Sequence, residues 1–292
     1  MPPNMQMLTN IQRKIEEYLR NKSVTRLTAN SQKTYRFALL YLDKYCKRRG
    51  IIRLEPKLID MDDFVLWCYK NKLQGASVLH YVVIVKHLFK FHGKPIDYKF
   101  KLTMEEIKQA KIKRLRRWFS EEEVARCLKY KFTSNPVRGE LIVRLMIESA
   151  ARVHEISRVI AENIDIENRT IWVVSTKTDP RTIFFSPHTA HLFESFKLQH
   201  PVWTGRIFPT TSVIRSFIKE MLTELGLKEK DDGRGPHTFR HYSATWLYYE
   251  GGMKLTELST LMGATVGTLQ KVYLHPTPLM LRKRVDKAWG WK

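Results

Sequence analysis

The chain changes its hydrophobic period once, and that change limits its fold more than any other feature. Over most of the 292 residues, apolar side chains recur at spacings of three and four, as in helices with one buried face. Between residues 171 and 185 the spacing falls to two. Ile171 and Val173 alternate with Trp172 and Val174, and Thr182-Ile183-Phe184-Phe185 follows a turn at Asp179-Pro180. Such alternation across a turn predicts a β-hairpin or meander. The expected fold class is therefore mainly α with a small β-sheet, an α+β chain.

The helical stretches divide into two groups. Thr9 or Asn10 can cap a helix that places Ile11, Ile15, Tyr18 and Leu19 on one face. Asn30 or Ser31 can cap another with Tyr35, Ala38, Leu39, Leu42 and Tyr45 on one stripe. Two more helices are expected at about 60–72 and 75–91, so residues 1–107 read as a small helical bundle. The run 108–117, KQAKIKRLRR, has six basic residues and no acid, and 108–118 reads as a basic interdomain linker. Ser120-Glu121-Glu122-Glu123 is a capping box that opens a second domain, 119–292. Its helices are expected at about 120–128, 134–150, 188–198, 211–225, 238–250, 254–263 and 279–289.

Charge narrows the function. Lys+Arg number 51 against 29 Asp+Glu, a net charge of +22, and residues 1–118 carry +16 of it. That excess points to a polyanionic partner, nucleic acid or an acidic membrane surface. No apolar run approaches the ~18 residues of a membrane-spanning helix. Cys46, Cys68 and Cys127 are too few and too scattered for a disulfide framework, and the first residues lack a secretory pattern, so an intracellular location (cytoplasm, nucleoid or host cell) is expected.

Several chemistries lack their motifs. There is no GxxxxGK[ST], no GxGxxG and no HExxH, since His154-Glu155 is not followed by a second histidine at the right place. Asp60, Asp62 and Asp63 read as the capped start of a helix rather than a metal site. His237 and His241 stand four apart, but the intervening Arg240 would repel a metal ion. A His-x-x-Arg pair suits an oxyanion better, with two parallel guanidinium donors beside an imidazole. Arg152, Lys177 and Tyr273 each have an ordinary reading alone: a helix-start Arg–Glu pair, a solvated hairpin lysine, a core tyrosine. The informative feature is their order: Arg, a hairpin Lys, His-x-x-Arg, then Tyr.

In that order the sequence resembles the tyrosine recombinase (integrase) family, in its simple two-domain form. ARVHEI (151–156) is similar to the first arginine box, a Gly/Ala-x-Arg-x-x-Glu-Leu/Ile pattern. STKTDPRTIFF resembles the hairpin box, with Lys177 at the lysine position and Arg181 at the second basic one. HTFRHYSATWL (237–247) resembles the His-x-x-Arg-His box, and LMGATVGTLQKVYLHP (261–276) the box with the tyrosine.

The resemblance implies a helical core-binding domain followed by a catalytic domain with a C-terminal exchange helix at about 279–289. It also implies a DNA strand breakage and rejoining enzyme. Tyr273 would be the nucleophile and form a 3′-phosphotyrosyl intermediate, with Arg152 and Arg240 as the phosphate clamp, His237 as base and Lys177 as acid. No cofactor is implied and the reaction would need neither metal nor ATP. The partners implied are double-stranded DNA and further copies of the chain, in dimers or tetramers on DNA. Expected DNA contacts are Lys33, Arg36, Arg114, Arg116, Arg117 and Arg181. One departure stands out: the residue after the Leu-Gly turn is usually His or Trp, and here Ala264 stands there. Thr265 and His275 are candidates to replace it. The alternatives are a catalytically impaired, sequence-specific DNA-binding protein and a type IB topoisomerase-like enzyme.

Overall fold

The computed structural model describes residues 9–115, 118–174, 179–229, 232–274, 276 and 278–290, with the backbone alone at 22–23 and 110–115. Contacts divide the chain into two compact units, 1–111 and 112–292.

The first unit is all helix: α1 (Asn10–Leu19), α2 (Lys22–Thr25), α3 (Ala29–Arg48), α4 (Met61–Lys70), α5 (Gly75–Phe91) and the start of α6 (Met104–Leu115). Thr9 begins α1 with a full capping box to Gln12. Asp60 caps α4 through the amides of Asp62 and Asp63, so the acidic cluster is a helix start, as expected. The cap of α3 is Thr28, not Asn30 or Ser31: its hydroxyl accepts from the Ser31 amide at 3.3 Å. Apolar faces of these helices meet in a core of Ile11, Ile15, Leu39, Leu42, Phe64, Val85 and Leu88.

The basic stretch holds a second difference. Sequence reading places no helix here, yet residues 108–115 form the C-terminal part of α6. The helix starts at a capping box in which Thr103 and Glu106 exchange amide bonds of 2.8 and 3.1 Å. Acids in the first turn and cations toward the end suit the helix dipole.

In the second unit, α7 (Glu121–Lys129) begins at Ser120, with the expected capping box to Glu123. Then come α8 (Pro136–Glu148), α9 (Val153–Ile156), β1 (Ile164–Asp165), β2 (Thr170–Val173), β3 (Arg181–Phe184), α10 (Pro187–Gln199), α11 (Thr211–Glu224), α12 (Pro236–Tyr249), α13 (Leu255–Met262), α14 (Val266–Thr268), a π-helical turn (Leu269–Tyr273) and α15 (Pro278–Trp289). The strands form one antiparallel meander in the order β1-β2-β3, with Ile171 opposite Ile183 and Val173 opposite Arg181. Ile171, Val173 and Ile183 face the core that α8, α10 and α11 complete, while Trp172 and Phe184 face outward.

Helix α8 stops short of the expected residue 150, for a reason that matters to the site. Ala150 is buried with φ +52°, in the left-handed region. An alanine there carries a steric cost of about 1–2 kcal/mol. The turn it makes follows the end of α8 and leads to the N-cap of α9 two residues on. Only a small side chain suits this backbone, which accounts for the Gly/Ala that begins the arginine box. Ala150→Gly is expected to leave stability within about 1 kcal/mol of the parent. Ala150→Val should lower it by at least about 2 kcal/mol. Urea denaturation of the two variants would check the contrast, and equal stabilities would contradict it.

Candidate active site

The site is built around the C-terminal end of α13. A helix leaves its last carbonyls without intrahelical partners, and its dipole makes that end electronegative. Three successive carbonyls there each accept from a different arginine. Leu261 accepts from Arg181 Nε at 2.6 Å, Met262 from Arg240 Nη2 at 2.8 Å, and Gly263 from Arg152 Nη2 at 3.0 Å. Gly263 caps the helix at φ +56°, a conformation that glycine adopts without penalty.

The three arginines come from distant parts of the chain. Arg152 is the N-cap residue of α9, directly after the Ala150 turn. Arg181 begins β3. Its place opposite Val173, on the face shared with Ile183, aims it into the core. Arg240 lies on the buried face of α12 and is 1% exposed, and its Nη1 donates to the Ala150 carbonyl at 2.6 Å. The strained turn thus serves the site directly.

One carboxylate answers these cations. Glu155 takes a two-pronged pair from Arg181 at 2.7 and 2.8 Å, and also accepts from the Arg152 amide at 2.7 Å and from Arg152 Nη1 at 3.1 Å. Burial alone would raise its pKa. The Arg181 hydrogen bonds and charge, joined by the Arg152 amide and charge, outweigh burial and hold the pKa at about 2. The other hydrogen bonds described for the three guanidinium groups end on neutral carbonyls and one phenol, so the cluster carries more positive than negative charge.

That phenol belongs to Tyr273, the last residue of the π-helical turn, 8% exposed. Arg240 Nε donates to its Oη at 3.2 Å, and the Arg240 guanidinium carbon lies 5.1 Å from its ring centre. Desolvation lowers the Arg240 pKa to about 10, the negative charge that Tyr273 would carry offsetting part of it, so the guanidinium stays charged at neutral pH.

His237 stands one helical turn before Arg240 and is exposed. Desolvation first, then the charges of Arg240, Arg215, Arg152 and His154, press its pKa below 6.5. Both effects favour the uncharged imidazole, the form able to take a proton.

The structure brings together four of the five expected site residues, Arg152, His237, Arg240 and Tyr273. Lys177 lies outside the described residues, as do His275, Arg116, Arg117 and the side chain of Arg114. Lys33 and Arg36 are exposed on α3, with Arg36 paired to Glu16 at 3.3 Å. Arg181, expected among the DNA contacts, is 7% exposed and donates to Glu155 and Leu261. The strand period could have shown this, since Arg181 shares the parity of Ile183 and Phe185.

The Ala264 position also resolves in part. Thr265 is engaged in capping α14: its hydroxyl accepts from the Thr268 amide at 3.2 Å and pairs with the Thr268 hydroxyl at 2.9 Å. A pocket of 480 Å³ opens here, lined by Asp179, Pro180, Arg181, Ser259, Thr260 and Ala264 among others. The helix-start pair read for Arg152 forms with Glu155, whereas sequence reading gives no role beside the tyrosine to His241 or Thr245. His241 packs its ring 4.7 Å from that of Tyr273, and Thr245 Oγ1 donates to the Tyr273 carbonyl at 2.9 Å.

The model of the phage integrase family matches residues 117–279. The chain belongs to that family. It is a tyrosine recombinase, an enzyme that breaks and rejoins DNA strands. It is similar to tyrosine recombinase XerA of Saccharolobus solfataricus, with 24% identity over 220 residues, 75% of this chain and 70% of that protein. Solved structures share the recombinase fold over nearly its whole length. A post-cleavage complex of XerH with a palindromic difH substrate has 16% identity and a TM-score of 0.68, covering 96% of this chain and 85% of that one. A lambda integrase dimer on a COC′ core site has 13% identity and a TM-score of 0.63, covering 98% and 79%.

The Glu155 assembly yields a prediction in two parts. Removing one partner of a buried pair costs about 3–5 kcal/mol, so Glu155→Gln and Arg181→Met should each lose that much in urea denaturation. The depressed pKa of Glu155 contributes stability that is fully present above its unfolded value of 4.5 and is lost as pH falls toward about 2. Acid titration of stability should show that loss in the parent and a shallower one in Glu155→Gln. Parallel curves would contradict the assignment.

Proposed function

We propose that this recombinase cuts and rejoins duplex DNA at a specific site through a 3′-phosphotyrosyl intermediate on Tyr273. The observation that carries the reading is the convergence of Arg152 and Arg240 on adjacent carbonyls of one helix end, with Arg240 bonded to the Tyr273 phenol oxygen. A phosphodiester gains negative charge on its non-bridging oxygens in the transition state. Two cations fixed in advance stabilise that state more than the ground state.

In the first step the Tyr273 oxygen bonds to phosphorus and the bond to the 5′-oxygen breaks. His237 takes the phenol proton, consistent with its lowered pKa. Lys177 supplies a proton to the departing 5′-oxygen. The phosphotyrosine ester keeps the bond energy, so a 5′-hydroxyl of another strand can reverse the step. The exchange therefore calls for no metal and no nucleotide cofactor. Arg181 acts through Glu155, holding the carboxylate that orients Arg152.

Residues 1–107 and 119–292 serve as DNA-binding and catalytic domains joined by the basic stretch 108–118, within an intracellular enzyme. Lys33, Arg36, Arg114, Arg116 and Arg117 contact phosphates. The pair between Arg36 and Glu16 is exposed and therefore weak, and DNA can displace it. Self-association on DNA uses α15. Its Arg284 donates to the carbonyls of Tyr248 and Tyr249, fastening one side of the helix, while Leu281, Val285 and Trp289 form an exposed stripe at spacings of four. A neighbouring protomer covers that stripe in a dimer or tetramer. A second reading, an impaired sequence-specific DNA-binding protein, is favoured by Ala264, whose methyl group donates no hydrogen bond.

Covalent capture separates the two readings. Wild-type protein and Tyr273→Phe are mixed with fragmented DNA and denatured, and the attached DNA is sequenced. An adduct at one recurrent sequence with wild type only is the expected result. Specific binding with no adduct would support the impaired binder. The phosphate-binding cations have their own test. Replacing Lys33, Arg36, Arg114, Arg116 and Arg117 by alanine should flatten the plot of log K against log salt by about 0.9 for every phosphate no longer neutralised. An unchanged slope would remove those residues from the interface.

A further inference from the structure

We infer that His241 and Thr245 are positioning residues for the tyrosine nucleophile, seating Tyr273 in the site of its own chain. The inference rests on the reading of Tyr273 as nucleophile. Three parts of that residue meet one face of α12. Its oxygen accepts from Arg240 Nε at 3.2 Å, its ring packs on the His241 ring at 4.7 Å with 37° between planes, and its carbonyl accepts from Thr245 Oγ1 at 2.9 Å. Residues 240 and 241 lie one helical turn from 244 and 245, so a single rigid element supplies all three contacts.

The contacts divide the work. Tyr273 closes a π-helical turn, a rare geometry that recurs at functional sites. The Thr245 bond, made by a residue only 7% exposed, fixes the backbone at the end of that turn. The His241 ring restricts how the phenol can swing. Arg240 then meets the oxygen. Without the first two contacts the oxygen would sample many positions, and a displacement of about 1 Å can cost about a hundredfold in rate. Neither His241 nor Thr245 needs to touch DNA for this role.

The test uses the full chain and four variants. Thr245→Val keeps the shape and removes the donor, whereas Thr245→Ser keeps the donor. His241→Ala removes the ring, whereas His241→Phe keeps a ring of similar breadth. The substrate is a nicked duplex carrying the sequence recovered by covalent capture, and the readouts are the single-turnover adduct rate at saturating DNA and the Kd. We expect Thr245→Val and His241→Ala to lose about tenfold or more in rate with Kd unchanged, and Thr245→Ser and His241→Phe to recover most of it.

A second readout is independent of the chemistry: nitration of Tyr273 by tetranitromethane, followed by peptide mass spectrometry. Nitration should be slow in the parent, Thr245→Ser and His241→Phe, and faster in Thr245→Val and His241→Ala. Should Thr245→Val fail to fold, the His241 pair carries the test. Parent rates in both Thr245→Val and His241→Ala, or equal losses in the conservative variants, would overturn the seat. A parent that forms no adduct would instead count against the nucleophile reading, and the nitration pattern would then decide the seat alone.

Discussion

Three arginines ending on three consecutive carbonyls is the constraint on which the catalytic unit depends. Arg181, Arg240 and Arg152 reach Leu261, Met262 and Gly263 from a strand, a helix and a helix start. Side chains from such separate places share one geometry only if something rigid collects them. Here that element is the end of α13, whose unsatisfied carbonyls and dipole favour cations. The Ala150 turn adds a fourth carbonyl, which accepts from Arg240. The result is a cationic site whose groups are held before any substrate arrives.

The charge balance explains why such a site suits a phosphodiester. Glu155 compensates part of the positive charge, and carbonyl dipoles orient the rest without neutralising it. Because Arg240 is 1% exposed, its charge acts in a medium less polar than water, where each interaction with an arriving anion counts for more. The nearby phenol is where an electrophilic phosphorus would need a nucleophile. Anchoring by backbone carbonyls is also economical in sequence, since it leaves the α13 side chains free to fill the core with Leu258 and Met262.

Much of the fold was legible because its signals are local. The caps at Thr9, Asp60 and Ser120 are written in single residues, and the alternation at 171–185 marked the sheet. Helix α6 was not, although Thr103 and Glu106 spell a capping box, because the basic run that follows has the composition of a solvated linker. Of the site, the residue types in their order were legible. Their partners were not: a bond from Arg152 to the Gly263 carbonyl spans more than a hundred residues and leaves no side-chain signature. Arg181 has the look of a surface cation until its strand face is considered. The contacts of His241 and Thr245 with Tyr273 have no local signal, since only the fold brings the π-helical turn against them.

Ala264 is where this chain differs most from the pattern it otherwise follows, and the neighbouring Thr265 hydroxyl is occupied with a helix cap. The loss of one donor would slow phosphoryl transfer without changing which atom attacks. The most direct measurement is therefore the chemical nature of the linkage. The protein–DNA adduct is digested with nuclease and protease, and the Tyr273 peptide is analysed by mass spectrometry. The account requires a nucleotide joined through its 3′-phosphate to the Tyr273 oxygen, with a free 5′-hydroxyl on the departing strand. A 5′-phosphate linkage, or a nucleotide on any other residue, would contradict it.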